Sequence, residues 1–311
     1  MTAPEVRIRA AEEELRFAAA DDVRLVGTIA EPADAPVAAA LLIPGSGPVD
    51  RDSDHKRMRL GVSRDLAHAL ADAGVASLRY DKRGIGASGG DFLAAGLGDN
   101  VADAAAALAA LRDRFPGRPV FVVGHSEGGI IAARVAADDS GLAGAVLLAT
   151  PGVTGAEMLA WQAEQVAGAL PPFAAFIVRL FRIDLLAQQR RTLERLRSST
   201  ADVIRIQGRR INAKWHRELL ESDPPRDLAL VAAPVLAITG GKDLQVDPDD
   251  LERIAAAAAG PVETERPADL THLLRTDPGR PSLAAYRKLI RKPTDAGLLE
   301  RVASWVVATA G

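Results

Sequence analysis

Hydrophobic and polar positions alternate at the start of the chain, in Glu14–Ala19 and again in Val23–Ala30, with Asp21-Asp22 between them. A period of two on either side of a polar break predicts an antiparallel hairpin. The pattern then changes to short, unbroken apolar runs, each ending in turn residues: Ala38–Ile43, Val75–Tyr80, Val120–Val123, Ala145–Ala149 and Val235–Thr239. Uninterrupted apolar strands are what a sheet covered on both faces requires. Between them, Leu60–Ala73, Val101–Phe115 and Gly128–Ala137 carry helical periodicity. Strand and helix alternate, so the expectation is an α/β protein with a mostly parallel, doubly wound sheet.

After Pro151 the alternation stops. Residues 153–228 contain no buried-strand run, only amphipathic stretches around Trp161, Phe173–Leu186, Gln189–Leu196 and Ile211–Leu220. The strand pattern resumes at Ala233-Pro234, and Val262–Arg266 is the last strand expected. The organisation predicted is a core of residues 1–152 and 229–311 with a helical cap, 153–228, inserted between two core strands. Twelve Lys and Arg stand against nine Asp and Glu in that insert, so it is basic on a chain whose net charge is −3.

Composition narrows the chemistry. The absence of cysteine removes disulfides, thiolate metal sites and a cysteine nucleophile. The near-neutral balance gives no electrostatic footing for nucleic acid. No run approaches the roughly 18 apolar residues of a membrane span, and the charged stretch Met1–Phe17 shows no signal-peptide pattern. A cytoplasmic protein is expected. No metal or cofactor is expected either, since the five histidines are dispersed and neither a zincin motif nor a phosphate loop is present. The oligomeric state is left open.

The sharpest local signal is Gly124-His125-Ser126-Glu127-Gly128-Gly129, directly after an apolar strand and directly before a helical pattern. A sharp strand-to-helix turn of this kind projects its central side chain off the top of a sheet, which marks Ser126 as a nucleophile. The base and its orienter are expected downstream, acid first. Asp243 stands just past the run Val235–Thr239, with Asp247 as the fallback, while Asp249 and Asp250 read as charges at a helix start. His272, 29 residues after Asp243, has the position and order of the base. His125 should point away from the serine, His68 reads as surface, His55 lies in a charged loop and His216 is the outsider. Acyl transfer also needs N–H donors for a developing oxyanion. One is expected from Glu127, the other from Ser46 or Gly45 in Pro44-Gly45-Ser46-Gly47-Pro48. The charged runs Asp50-Arg51-Asp52 and Asp81-Lys82-Arg83 read as ion pairs pinning the loops beside the site. Trp161, Phe173, Phe176, Phe181 and Trp215 either wall an apolar pocket for substrate or form the cap's own core.

These pieces resemble the α/β-hydrolase superfamily, and within it bacterial esterases of the serine-aminopeptidase-like or monoacylglycerol-lipase-like group. The likeness rests on Pro44–Asp52, Tyr80–Ser88, Gly124–Gly129, Lys242–Val246 and the segment at His272-Leu273-Leu274. Thr271 departs from it, standing where Asn would precede the histidine. The resemblance implies an eight-stranded, mostly parallel sheet and a serine hydrolase without a cofactor. It also implies that a Gly-Ser-Gly-Pro turn takes the place of the more usual His-Gly turn at the oxyanion hole. The reading is then cleavage of a small-molecule carboxylic ester through an acyl-enzyme. A thioesterase, lipase, aminopeptidase or C–C hydrolase on the same triad are the alternatives. From another class stands a non-catalytic binding protein of the same fold.

Overall fold

Each unbroken apolar run becomes a buried strand. The computed structural model describes residues 10–56, 58–169 and 184–311, so Phe173, Phe176 and Phe181 lie outside the described residues. Eight strands form one sheet: β1 (Ala11–Ala18), β2 (Arg24–Glu31), β3 (Ala38–Ile43), β4 (Val75–Tyr80), β5 (Val120–His125), β6 (Gly144–Leu148), β7 (Val235–Ile238) and β8 (Val262–Glu265). Their order across the sheet is β1-β2-β4-β3-β5-β6-β7-β8. β1 pairs with β2, and β2 with β4, in antiparallel register; every other pairing is parallel. The opening hairpin turns where Asp22 takes a positive φ of 64°.

The five strands from β3 to β7 are buried along their whole length, as helices on both faces demand. The outermost strands carry charge instead. Glu12, Glu13 and Glu14 lie on β1, Glu263 and Glu265 on β8, which discourages edge-to-edge pairing with another chain. On one face α1 (Val62–Asp72) and the C-terminal helix α9 (Ala296–Ala310) cover Leu42, Phe121 and Val146; on the other α2 (Leu97–Arg114), α3 (Glu127–Asp138) and α8 (Asp250–Ala257) cover Leu41, Leu78 and Val122.

Between β6 and β7 the chain forms α4 (Gly155–Gly168), α5 (Leu185–Arg197), α6 (Ala213–Glu221) and α7 (Pro224–Leu228). Thr154 and Glu157 close a reciprocal cap on α4, and Asp184, Asn212 and Asp223 cap the next three. One element was not foreseen. Val203–Ile206 and Arg209–Asn212 make a two-stranded hairpin, so Ile211 belongs to a strand and not to the helix expected over Ile211–Leu220. The signal was a short period of two, Ile204 and Ile206 alternating with Arg205, joined by Gln207-Gly208 at φ 49° and 77°. Two positive φ values in a two-residue loop are what a tight hairpin needs. Among the described residues, no helix is long and apolar enough to cross a membrane.

Candidate active site

The parallel strands deliver three loops to one edge of the sheet, those after β3, β5 and β7. At the head of β5 the chain reverses directly into α3, and Ser126 sits at that bend with φ 56° and ψ −118°. A non-glycine residue held there costs about 1–3 kcal/mol and persists only where its surroundings over-determine it. Here Ser126 N–H donates to the Leu148 carbonyl at 2.8 Å, and the Ser126 carbonyl accepts from Gly129 N–H at 2.9 Å. The spacing of glycines follows from contact. A Cβ at Gly124 would lie 2.1 Å from the Gly128 carbonyl oxygen, one at Gly128 2.1 Å from that of Ile43, and one at Gly129 1.8 Å from Thr150 Oγ1. The bend is wedged between β5, α3 and the loop after β3.

The loop after β7 meets the loop that follows β8. Lys242 N–H donates to the Leu270 carbonyl at 3.0 Å, and Gly240 approaches that carbonyl so closely that a Cβ would lie 2.0 Å from its oxygen. Asp243 is buried and uses both oxygens: Oδ1 accepts from Gln245 and Val246 N–H at 2.7 and 2.9 Å, while Oδ2 meets His272 Nδ1 at 2.8 Å. That contact fixes the ring and leaves Nε2 as the lone-pair nitrogen of the neutral imidazole. Asp247, the fallback, is occupied elsewhere by an ion pair with Arg253 at 3.5 Å.

Several groups that sequence reasoning left aside hold the histidine. His125 faces the His272 segment: its Nε2–H donates to the His272 carbonyl at 2.9 Å, and the two rings lie 5.1 Å apart. Burial, with His272 beside it, pushes the His125 imidazole down to about 3, so it is a neutral donor at ordinary pH. Thr271, the departure from the family pattern, donates from Oγ1 to the Arg275 carbonyl at 2.9 Å. Arg275 is fully buried and gives its N–H groups to backbone oxygens: Leu273 at 2.6 Å, Lys292 at 3.3 Å and Leu60. Burial lowers its pKa from the usual arginine value.

The loop after β3 comes against the serine. A Cβ on Gly45 would lie 3.5 Å from Ser126 Cβ and 3.3 Å from the His125 carbonyl oxygen. Ser46 is exposed and Glu127 is buried. Behind this loop the charged runs form ion pairs. Arg51 bonds Asp81 through its N–H at 2.8 Å and its guanidinium at 2.7 Å, and reaches the Gly27 carbonyl at 2.9 Å. Burial alone would raise the Asp81 carboxyl, but Arg51 and the Ala87 N–H hold it below its ordinary value. Arg83 is clamped between Asp103 and Asp21.

Glu127 carries a second feature. Its buried carboxylate accepts from Lys82 Nζ at 3.3 Å, Asn100 Nδ2 at 3.0 Å and Trp215 Nε1 at 3.0 Å. Trp215 thus points its indole N–H at the elbow. Trp161 lines a cavity of about 260 Å³ with Glu157, Met158, Asp247, Asp250 and Arg253. His216 Nδ1 bonds the Asn212 carbonyl at 2.6 Å, and His68 bonds Glu12 at 2.9 Å. Among the described residues, no group of three or more His, Asp or Glu is arranged to hold a metal ion. The constellation fits acyl transfer: a hydroxyl on a strained bend, an imidazole oriented by a buried carboxylate, and glycine-rich backbone alongside.

Comparison with known proteins agrees. Residues 58–279, well over half of the chain, match the family model described as serine aminopeptidase, S33. Esterase EstD of Thermotoga maritima is 26% identical over 275 residues, which are 88% of this chain and 62% of that protein. The chain therefore spans somewhat less than two thirds of that relative's length. Three solved structures share the fold. The esterase domain of a Rhodothermus marinus protein is 19% identical with a TM-score of 0.61, over 97% of this chain and 100% of that one. The Pyrococcus furiosus esterase Pf2001 is 16% identical with a TM-score of 0.63, over 100% and 95%. Est1E of Butyrivibrio proteoclasticus with ferulic acid bound is 16% identical with a TM-score of 0.61, over 94% and 99%.

Proposed function

Because the chain belongs to the serine aminopeptidase S33 family of α/β hydrolases, we propose that it hydrolyses carboxylic esters of short to medium acyl chain through an acyl-enzyme. Ser126 Oγ attacks the ester carbonyl and His272 Nε2 takes its proton. The imidazolium so formed is stabilised by Asp243. The oxyanion is met by Glu127 N–H and by Ser46 or Gly45 N–H. Collapse expels the alcohol, which receives the proton from His272. Water, activated by the same imidazole, then attacks the acyl carbon and releases the acid and Ser126.

The observation that carries this reading is the 2.8 Å contact of His272 Nδ1 with buried Asp243, in a loop bonded to His125, next to a serine at φ 56°. The esterase names of the relative and of the structural neighbours support an ester over an amide. Residues 153–228 act as a cap over the site, a reading supported by their insertion between β6 and β7 and by the bond from Trp215 to Glu127. Trp161 and Trp215 belong to the proposal as walls of the acyl pocket, and an unchanged chain-length preference in Trp161→Ala would remove Trp161 from it. A cytoplasmic location is the accompanying expectation, checked by fractionation.

The test is turnover across a p-nitrophenyl ester series beside aminoacyl anilides and acyl-CoA thioesters, with Ser126→Ala as control. Esters should give the highest kcat/KM, and Ser126→Ala should lose roughly 10⁴–10⁶ in kcat. Faster anilide or thioester turnover, or a Ser126→Ala variant near wild type, would overturn it.

A further inference from the structure

We infer that the Glu127 side chain is a positioning group that makes the oxyanion donor depend on how the inserted segment is seated, through Trp215; this rests on the esterase reading above. Glu127 is the first residue of α3, and the leading N–H groups of a helix have no partner within it. The same residue therefore offers the reacting carbonyl its backbone and the protein interior its carboxylate. Only 3% of that side chain is exposed. Its donors come from three separate elements: Lys82 from the loop after β4, Asn100 from α2 and Trp215 from α6. Oε1 takes both Asn100 and Trp215, and Oε2 takes Lys82.

Trp215 is itself held on a docked helix. Asn212, the cap of α6, donates from Nδ2 to the Phe92 and Ala95 carbonyls at 2.9 and 2.7 Å. Lys214 pairs with Asp99 at 2.7 Å. Glu218 accepts from Gly98 N–H at 2.7 Å. All of these partners lie in the first turn of α2 or just before it, so α6 and the elbow are tied to one platform. When α6 is seated, the carboxylate has its full set of donors. When it lifts, Oε1 keeps only Asn100, in a place that excludes water from replacing the lost donor. The side chain then swings toward its remaining donors and turns the peptide that carries the N–H. An ester in its ground state depends little on that N–H, whereas the tetrahedral oxyanion depends on it strongly.

The experiment is Trp215→Phe, which keeps an aromatic ring and deletes the donor, with Glu127→Gln beside it. Both are assayed for kcat and KM on the best p-nitrophenyl ester, for inhibition by a matched trifluoromethyl ketone, and for melting temperature. The ketone adds Ser126 Oγ and places an oxyanion where the ester would. With the donor displaced, kcat should fall about tenfold in Trp215→Phe and up to about a hundredfold in Glu127→Gln. Ki should rise by the same factor in each variant while KM stays within about twofold, the pattern of an interaction made mainly in the transition state. A lower melting temperature with kcat and Ki unchanged would overturn the inference, as would an effect confined to KM. Should Trp215→Phe fold poorly, Glu127→Gln decides by the same two ratios. A wild type that turns over no ester sinks the esterase reading instead, so the two failures are distinct.

Discussion

Gly128→Ala isolates the contact between the elbow and the loop that would bind the oxyanion. The new methyl carbon would stand 2.1 Å from the Ile43 carbonyl oxygen and 2.8 Å from that of Pro44. Both neighbours are backbone, so no side chain can rotate away. In an interior packed to crystal density, restoring an ordinary contact needs a shift of about 1 Å. The shift falls on the start of the turn Pro44–Pro48 or on α3, and either parts the two sides of the site. A misplacement of about 1 Å near reacting atoms costs about 10²-fold in rate, and overpacking costs about 1–3 kcal/mol in stability. Steady-state hydrolysis of a p-nitrophenyl ester, with urea unfolding in parallel, reads both. Gly117→Ala is the control: φ there is 75° and no atom lies within 4 Å of the added Cβ, so it should lose stability, by about 1 kcal/mol, without losing kcat. Wild-type kcat and an unchanged urea midpoint in Gly128→Ala would refute the claim that these backbones are in forced contact.

His125 makes the fold sensitive to acid. Its folded-state pKa lies far below its unfolded value, so its contribution is complete above about pH 6.5 and is lost as pH falls toward about 3. At pH 5 the loss is about 2 kcal/mol; melting temperature against pH should fall across this window in the wild type and less in His125→Asn, and parallel curves would contradict it. Arg275→Met strips three backbone carbonyls of their donors, that of buried Leu273 among them, and should destabilise by about 3–5 kcal/mol in urea unfolding; a change below about 1 kcal/mol would show that these bonds contribute little.

The sheet was legible because strands buried on both faces must be mostly apolar, as β3 to β7 are; the buried Ser77 and Arg79 in β4 are exceptions, Arg79 pairing with Asp52 and Glu12. Elements with smaller apolar demands were harder to read. α2 begins at Leu97 rather than Val101: Asp99 accepts from Gly96 N–H at 2.7 Å, and Glu218, 120 residues away, accepts from Gly98 N–H, a tertiary bond that no local pattern carries. The hairpin of Val203–Ile206 and Arg209–Asn212 is short and mostly exposed or half-buried, so its alternation covers too few positions to stand out. At the candidate site, the order and spacing of Ser126, Asp243 and His272 pointed to the proposed triad, and the structure places Asp243 against His272. Their supports were harder to read: Lys82 was expected in an ion pair but with no partner named, and Asn100 and Arg275 look like ordinary surface residues until the fold buries them. One signal was present for Lys82 and Glu127, opposite charges each two residues past the end of a strand, β4 and β5.

The central claim is that Ser126 is a nucleophile served by His272 and Asp243. Incubating the protein with a p-nitrophenyl alkylphosphonate and locating the adduct by peptide mass spectrometry addresses it most directly. Stoichiometric phosphonylation on Ser126, abolished in His272→Ala, is the result expected. An adduct on any other residue, or none while the ester is being hydrolysed, would contradict the account.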